Sequence, residues 1–172
     1  MSELFTEDLH QYFEKRRREV LDYVARFPCD QIKLLTEGLV ASRTTDKMGL
    51  GIPDIEEQPR SKDLDRTGTI AIYKHGITNG ESLKYKPSTL QFGGWPHEVT
   101  ISAEELEIRL PADGNPGPKE RHQGVIQQLR GNAATLAREI ETGNKMLAMQ
   151  IKPTIEKRQK ECADIDRRRN EL

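Results

Sequence analysis

A chain of 172 residues with 34% hydrophobic, 5% aromatic and 32% charged residues leaves room for one ordinary domain plus an extension, but little apolar material for one large core. A net charge of -1 supplies no overall field to recruit nucleic acid or an anionic membrane, so a binder of either would need a local patch. No apolar run approaches ~18 residues, which excludes a hydrophobic spanning helix, and the opening MSELFTEDLHQYFEKRRREV lacks the apolar core of a signal peptide.

Residues 6–27 are predicted to be helical. Thr6 suits the N-cap, Glu7 and Asp8 suit the first turn, and Leu9, Phe13, Val20, Val24 and Phe27 recur at helical spacing until Pro28 stops them. The run Lys15-Arg16-Arg17-Arg18 invites a nucleic-acid reading, with Arg16 and Arg17 on phosphates. Glu14, Glu19 and Asp22 surround it, and a solvated helix face is the preferred reading. A second helix over 31–42, capped by Asp30, groups Ile32, Leu35 and Leu39, and the short connection predicts that residues 1–42 form a helical hairpin. Residues 43–67 hold Gly49, Gly51, Pro53 and Pro59 and no sustained period, so they read as an irregular linker.

Residues 68–111 carry period-two segments, predicting a small antiparallel sheet of four to five strands. Ile70 and Ile72 are expected on one face. Asn79-Gly80 is expected to turn the chain into a hairpin with Leu83 and Tyr85. Leu90 and Phe92, then Val99 and Ile101, then Leu106, Ile108 and Leu110 supply further strands. LKYKPSTLQFGGWP (83–96) is the densest stretch. As a ligand loop it would stack bases on Tyr85, Phe92 and Trp95 and hold phosphates with Lys84 and Lys86. As a sheet corner, the preferred reading, it turns at Gly93-Gly94 and plugs an edge with Trp95.

Residues 112–172 read as a long helical extension. Ile126, Leu129, Ala133, Leu136, Ile140, Gly143 and Leu147 step by three and four, and Ile151 and Ile155 prolong the seam. Gly143 and Pro153 interrupt it, which predicts two long helices, about 119–142 and 145–170, or one kinked helix. The extension stays helix-compatible to its last residue, as expected of a segment leading into another domain.

The residues carry no catalytic pattern. His10, His75, His97 and His122 lack ligand spacing and are expected to be structural or exposed, so neither metal nor cofactor is expected. Cys29 and Cys162 form no metal pair and are too few for a disulfide framework, which points to a reducing cytosol. A degenerate metal-dependent nuclease would use Asp54 with Glu107-Ile108-Arg109. Glu107 and Arg109 fit the wet face of a sheet better, because Leu106, Ile108 and Leu110 alternate with them.

The order of KYKPST, LEIRLP and LAREIETGNKMLAMQIKPTIEKRQK resembles modules that precede effector domains, nucleases or TIR-like domains, in bacterial antiphage-defence proteins. The likeness covers about residues 66–172 and implies a non-catalytic part that senses, assembles or positions an effector. The expected chain is therefore α+β: a hairpin, a small sheet and a long helical extension. Its leading function is self-association, as a homo-oligomer, or docking to another protein domain. Ile126, Leu129, Leu136, Ile140, Leu147, Ile151 and Ile155 are the expected partner-binding seam. The alternative is nucleic-acid binding through Arg16, Arg17, Lys84, Lys86 and Trp95.

Overall fold

Strand β4, Ile70–Thr78, organises the sheet. The computed structural model describes residues 4–44, 50–90 and 98–172, and the chain is α+β. It divides into two units: one from residues up to Leu9 with Gly51–Ile140, the other from His10–Leu50 with Glu141–Leu172. The elements in chain order are β1 (Glu7–Asp8), α1 (Leu9–Ala25), a 3-10 turn (Cys29–Leu34), α2 (Glu37–Arg43), β2 (Asp54–Ile55), β3 (Ser61–Leu64), β4, a second 3-10 turn (Gly80–Lys84), β5 (Tyr85–Lys86), β6 (Glu98–Ile101), β7 (Glu105–Pro111) and α3 (Pro118–Asn170).

In the first unit, β7 pairs antiparallel with one edge of β4, and β6 pairs with β7. β2 and β3 pair antiparallel with the other edge of β4. The segment read as a linker thus supplies two strands. They are too short and too polar to show a period, and β3 is exposed at all four residues. Register sets the buried face. Ala71, Tyr73 and His75 lie opposite Leu110, Ile108 and Leu106, and all six are buried. Ile70 and Ile72 share a face, as expected; it is the half-buried one, because the unbroken apolar run from residue 70 to residue 73 offers either face to the core. The wet face of β7 is as expected. Lys74 pairs with Glu105 at 2.9 Å and Glu107 at 3.5 Å, and Arg109 with Glu107 at 3.7 Å.

Asn79 adopts the left-handed conformation its turn chemistry suggests, φ 51°, but leads into a 3-10 turn rather than a hairpin. Tyr85–Lys86 then pairs in parallel with Glu7–Asp8. That pairing also draws Glu7 and Asp8 out of the first helix, which starts at Leu9 instead of after Thr6. The expected Phe92, Gly93-Gly94 and Trp95 corner lies outside the described residues.

The second unit packs Val20 and Val24 of α1, Leu35, and Val40 of α2 against Ile151 and Ile155 of α3. Each such buried aliphatic side chain contributes about 1.5–3 kcal/mol of transfer free energy. The expected simple hairpin is replaced by α1, a 3-10 turn and α2. Thr36, not Asp30, caps α2 by accepting a bond from the Leu39 N–H at 3.2 Å. α3 is a single helix of 53 residues rather than two. Pro153 lies on its exposed side and has no N–H for the carbonyl of Met149, a residue that is itself 77% exposed. Gly143 serves a contact instead of a break: a Cβ there would lie 2.2 Å from the Phe13 ring.

Cys29 and Cys162, expected to be unpaired, form a disulfide in this unit. Their separation of 133 residues hides the pairing from the sequence. The bridge removes the argument from unpaired thiols to a reducing cytosol. No helix among the described residues is long and apolar enough to cross a membrane. Closing so long a loop constrains the unfolded chain, so reduction is expected to destabilise this unit by about 2–5 kcal/mol. Chemical denaturation with and without dithiothreitol should show the loss in the wild type and none in a Cys29→Ser/Cys162→Ser variant.

Candidate functional site

All seven residues of the predicted partner-binding seam are buried. Ile126, Leu129, Leu136 and Ile140 lie in the first unit, and Leu147, Ile151 and Ile155 in the second, each at most 6% exposed. The seam is core, covered by the chain itself, and offers no open stripe. The correction has a simple cause: a heptad-like period reports that one helix face is covered, not what covers it. Three of the five predicted nucleic-acid residues are engaged in ion pairs. Arg16 pairs with Glu19, Arg17 with Glu14 at 3.8 Å, and Lys84 with Glu7 at 3.4 Å. Lys86 is exposed, and Trp95 lies outside the described residues. Asp54 accepts a bond from the Ile55 N–H, and Glu107 is held by Lys74 and Arg109, so neither proposed nuclease carboxylate stands idle.

The structure instead assembles a cleft of about 360 Å³ in the first unit. One wall is the face of α3 bearing Lys119, His122, Gln123, Ile126, Gln127 and Arg130, residues that recur at three- and four-residue steps. The opposite wall comes from Glu57–Pro59, Lys62 of β3 and Tyr73 of β4.

Two buried histidines stand at this cleft. Nδ1 of His75 lies 2.8 Å from the Glu56 carbonyl oxygen, and its Nε2 lies 2.8 Å from Nε2 of His122. Their chemistry assigns the hydrogens. A carbonyl only accepts, so Nδ1–H of His75 donates to Glu56. Neutral His75 then has Nε2 as an acceptor, and Nε2–H of His122 donates to it. Nδ1 of His122 is left as a lone pair, with no hydrogen bond among the described residues. Tyr73 stacks on the His122 ring, centroids 3.9 Å apart and planes 12° apart, and holds its orientation. Burial pushes both imidazoles below their usual pKa. For His122 the neighbouring His75 and then Lys62 add to burial and bring the value to about 4.

The charges around the pair are unbalanced. Arg130 donates to the Ile55 carbonyl oxygen at 3.1 Å and pairs with Glu57 at 3.4 Å. Lys62 and Lys119 make no ion pair among the described residues. Three cations thus share the cleft with one carboxylate, which Arg130 already engages. The sequence signal was present but faint: Lys119, His122 and Arg130 lie on one helix face, whereas Lys62, Tyr73 and His75 come from segments that only strand pairing brings near.

Neutral, buried histidines make stability depend on pH. Their folded pKa values lie below the unfolded value of about 6.5, so the unfolded chain binds more protons between those values. Their contribution is complete above about pH 6.5 and is lost as the pH falls through the folded values, near 4 for His122. The melting temperature should therefore drop between pH 7 and pH 4, and His122→Phe should flatten that slope. An unchanged slope in the variant would show that other groups set it.

Compared with known proteins, the chain matches no family model, no curated protein and no solved structure.

Proposed function

We propose that the chain is a non-catalytic regulatory module that recognises an anionic ligand in the cleft of its first unit. The charge imbalance carries this reading: Lys62, Lys119 and Arg130 face a single, already engaged carboxylate. The remaining polar groups, Gln58, Gln123 and Gln127, can donate hydrogen bonds to oxyanion oxygens. His122 is stacked, buried and neutral, which suits recognition better than attack. Titration of the full chain with pyrophosphate at low salt should show binding that weakens as salt rises. A Lys62→Gln/Lys119→Gln variant, altered at the surface of the cleft, should lose at least about tenfold in affinity, since each lost charged hydrogen bond is worth about 1.5–3 kcal/mol. Equal binding by the variant would remove the reading.

Assembly remains the second reading, the one implied by the resemblance to modules that precede effector domains in antiphage systems. The buried seam does not support it. Exposed apolar side chains of the second unit do: Met146 at 58%, Met149 at 77% and Leu34 at 64% exposed. Unbranched methionines adapt to a partner surface. Sedimentation velocity should show self-association in the wild type and a monomer in Met146→Glu/Met149→Glu. A wild-type monomer throughout the micromolar range would leave only docking to another domain.

A further inference from the structure

The hydrogen-bond relay in the cleft has an open end, and that end discriminates among anions. This inference rests on the anion-binding reading above and narrows it. From Glu56 outward, each hydrogen in the relay points back toward the sheet: His75 donates to the Glu56 carbonyl, and His122 donates to His75. The last group, Nδ1 of His122, accepts and does not donate. Buried side-chain nitrogens without a partner do occur among the described residues, at Arg121 and Arg158 for example. Nδ1 of His122 is not one of them, so it meets solvent, and His122 lines the cleft.

Lys62, Lys119 and Arg130 attract any oxyanion. A fully deprotonated one would bring an oxygen lone pair against the lone pair of Nδ1. An oxyanion that keeps a hydrogen would donate it there while its charged oxygens meet the cations. We propose that the cleft selects a protonated oxyanion: hydrogen phosphate, or a phosphate monoester carrying its second proton. The other way to remove the lone-pair clash is to protonate His122. That cation would face His75 of β4, Lys62 of β3, and Lys119 and Arg130 of α3 itself. On the acidic side Glu57 lines the cleft and Glu56 adjoins His75, and these already engage Arg130 and Arg60. Protonating the ligand avoids placing another positive charge among them.

The test is calorimetric titration of the full chain at pH 6 with inorganic phosphate, O-phosphoserine and sulfate in separate arms. Inorganic phosphate carries a hydrogen at this pH, about half of O-phosphoserine carries its second proton, and sulfate carries none. Phosphate is expected to bind at least about tenfold tighter than sulfate, the worth of one charge-assisted hydrogen bond. The tighter of the two phosphate arms tells whether the natural ligand is free or esterified. His122→Phe keeps a ring against Tyr73 but removes the acceptor. It should remove the discrimination, so that phosphate and sulfate bind with the same affinity. Equal wild-type affinity for phosphate and sulfate would overturn the selectivity while leaving the anion reading intact. No binding in any arm would overturn both. The wild-type comparison decides the matter even if the variant does not fold.

Discussion

A buried imidazole needs a partner for each nitrogen it cannot show to water, and His75 is fully buried. Its place is set by register. Leu106, Ile108 and Leu110 of β7 face the core, so the residues opposite them on β4 must do the same, and His75 lies opposite Leu106. Its two nitrogens are met from two directions, by the backbone just after β2 and by His122 on α3. Shifting β4 by one residue would place Lys74 in the core and His75 in solvent, and would dissolve the relay with it. The cleft therefore inherits its geometry from the packing of the sheet.

The same relay joins energetics to recognition. Hydrogen bonds inside a protein are costly to leave unmade, so the tautomers of both rings are dictated rather than free. A dictated tautomer leaves one defined acceptor at the open end, beside cations that the fold does not neutralise. The polar groups that let two histidines be buried are thus the ones that give the cleft chemical preference. In the second unit the corresponding constraint is covalent. The Cys29–Cys162 bridge ties the turn after α1 to the last helix, where Arg158 also donates to the Phe27 carbonyl oxygen at 3.1 Å.

Much of the secondary structure was legible. α1, β6, β7 and the helical character of 118–170 follow from periods of 3.6 and two that tertiary packing did not override. Pro153 misled because its cost depends on its surroundings, and it sits on the exposed side of α3, one helical turn from the exposed Met149. β2 and β3 were missed because strands of two and four residues with one apolar residue each carry no periodic signal, and they exist by pairing with β4. The candidate site was the least legible part. His75 and His122 are 47 residues apart in the chain, and Lys62 belongs to one of the missed strands.

The sequence by itself determined that α1 and residues 118–170 are helical, that β6 and β7 are strands, that the Ile126–Ile155 seam would be covered, and that Leu106, Ile108 and Leu110 face inward, because local period and propensity are properties of neighbouring residues. Tertiary structure alone decided what covers the seam, which face of β4 is buried, that the two cysteines meet, and that one histidine, a tyrosine and three cations line one cleft with a second histidine bonded to the first. Those outcomes depend on register and long-range contact, and residues far apart in a chain leave no trace of their meeting in either stretch alone.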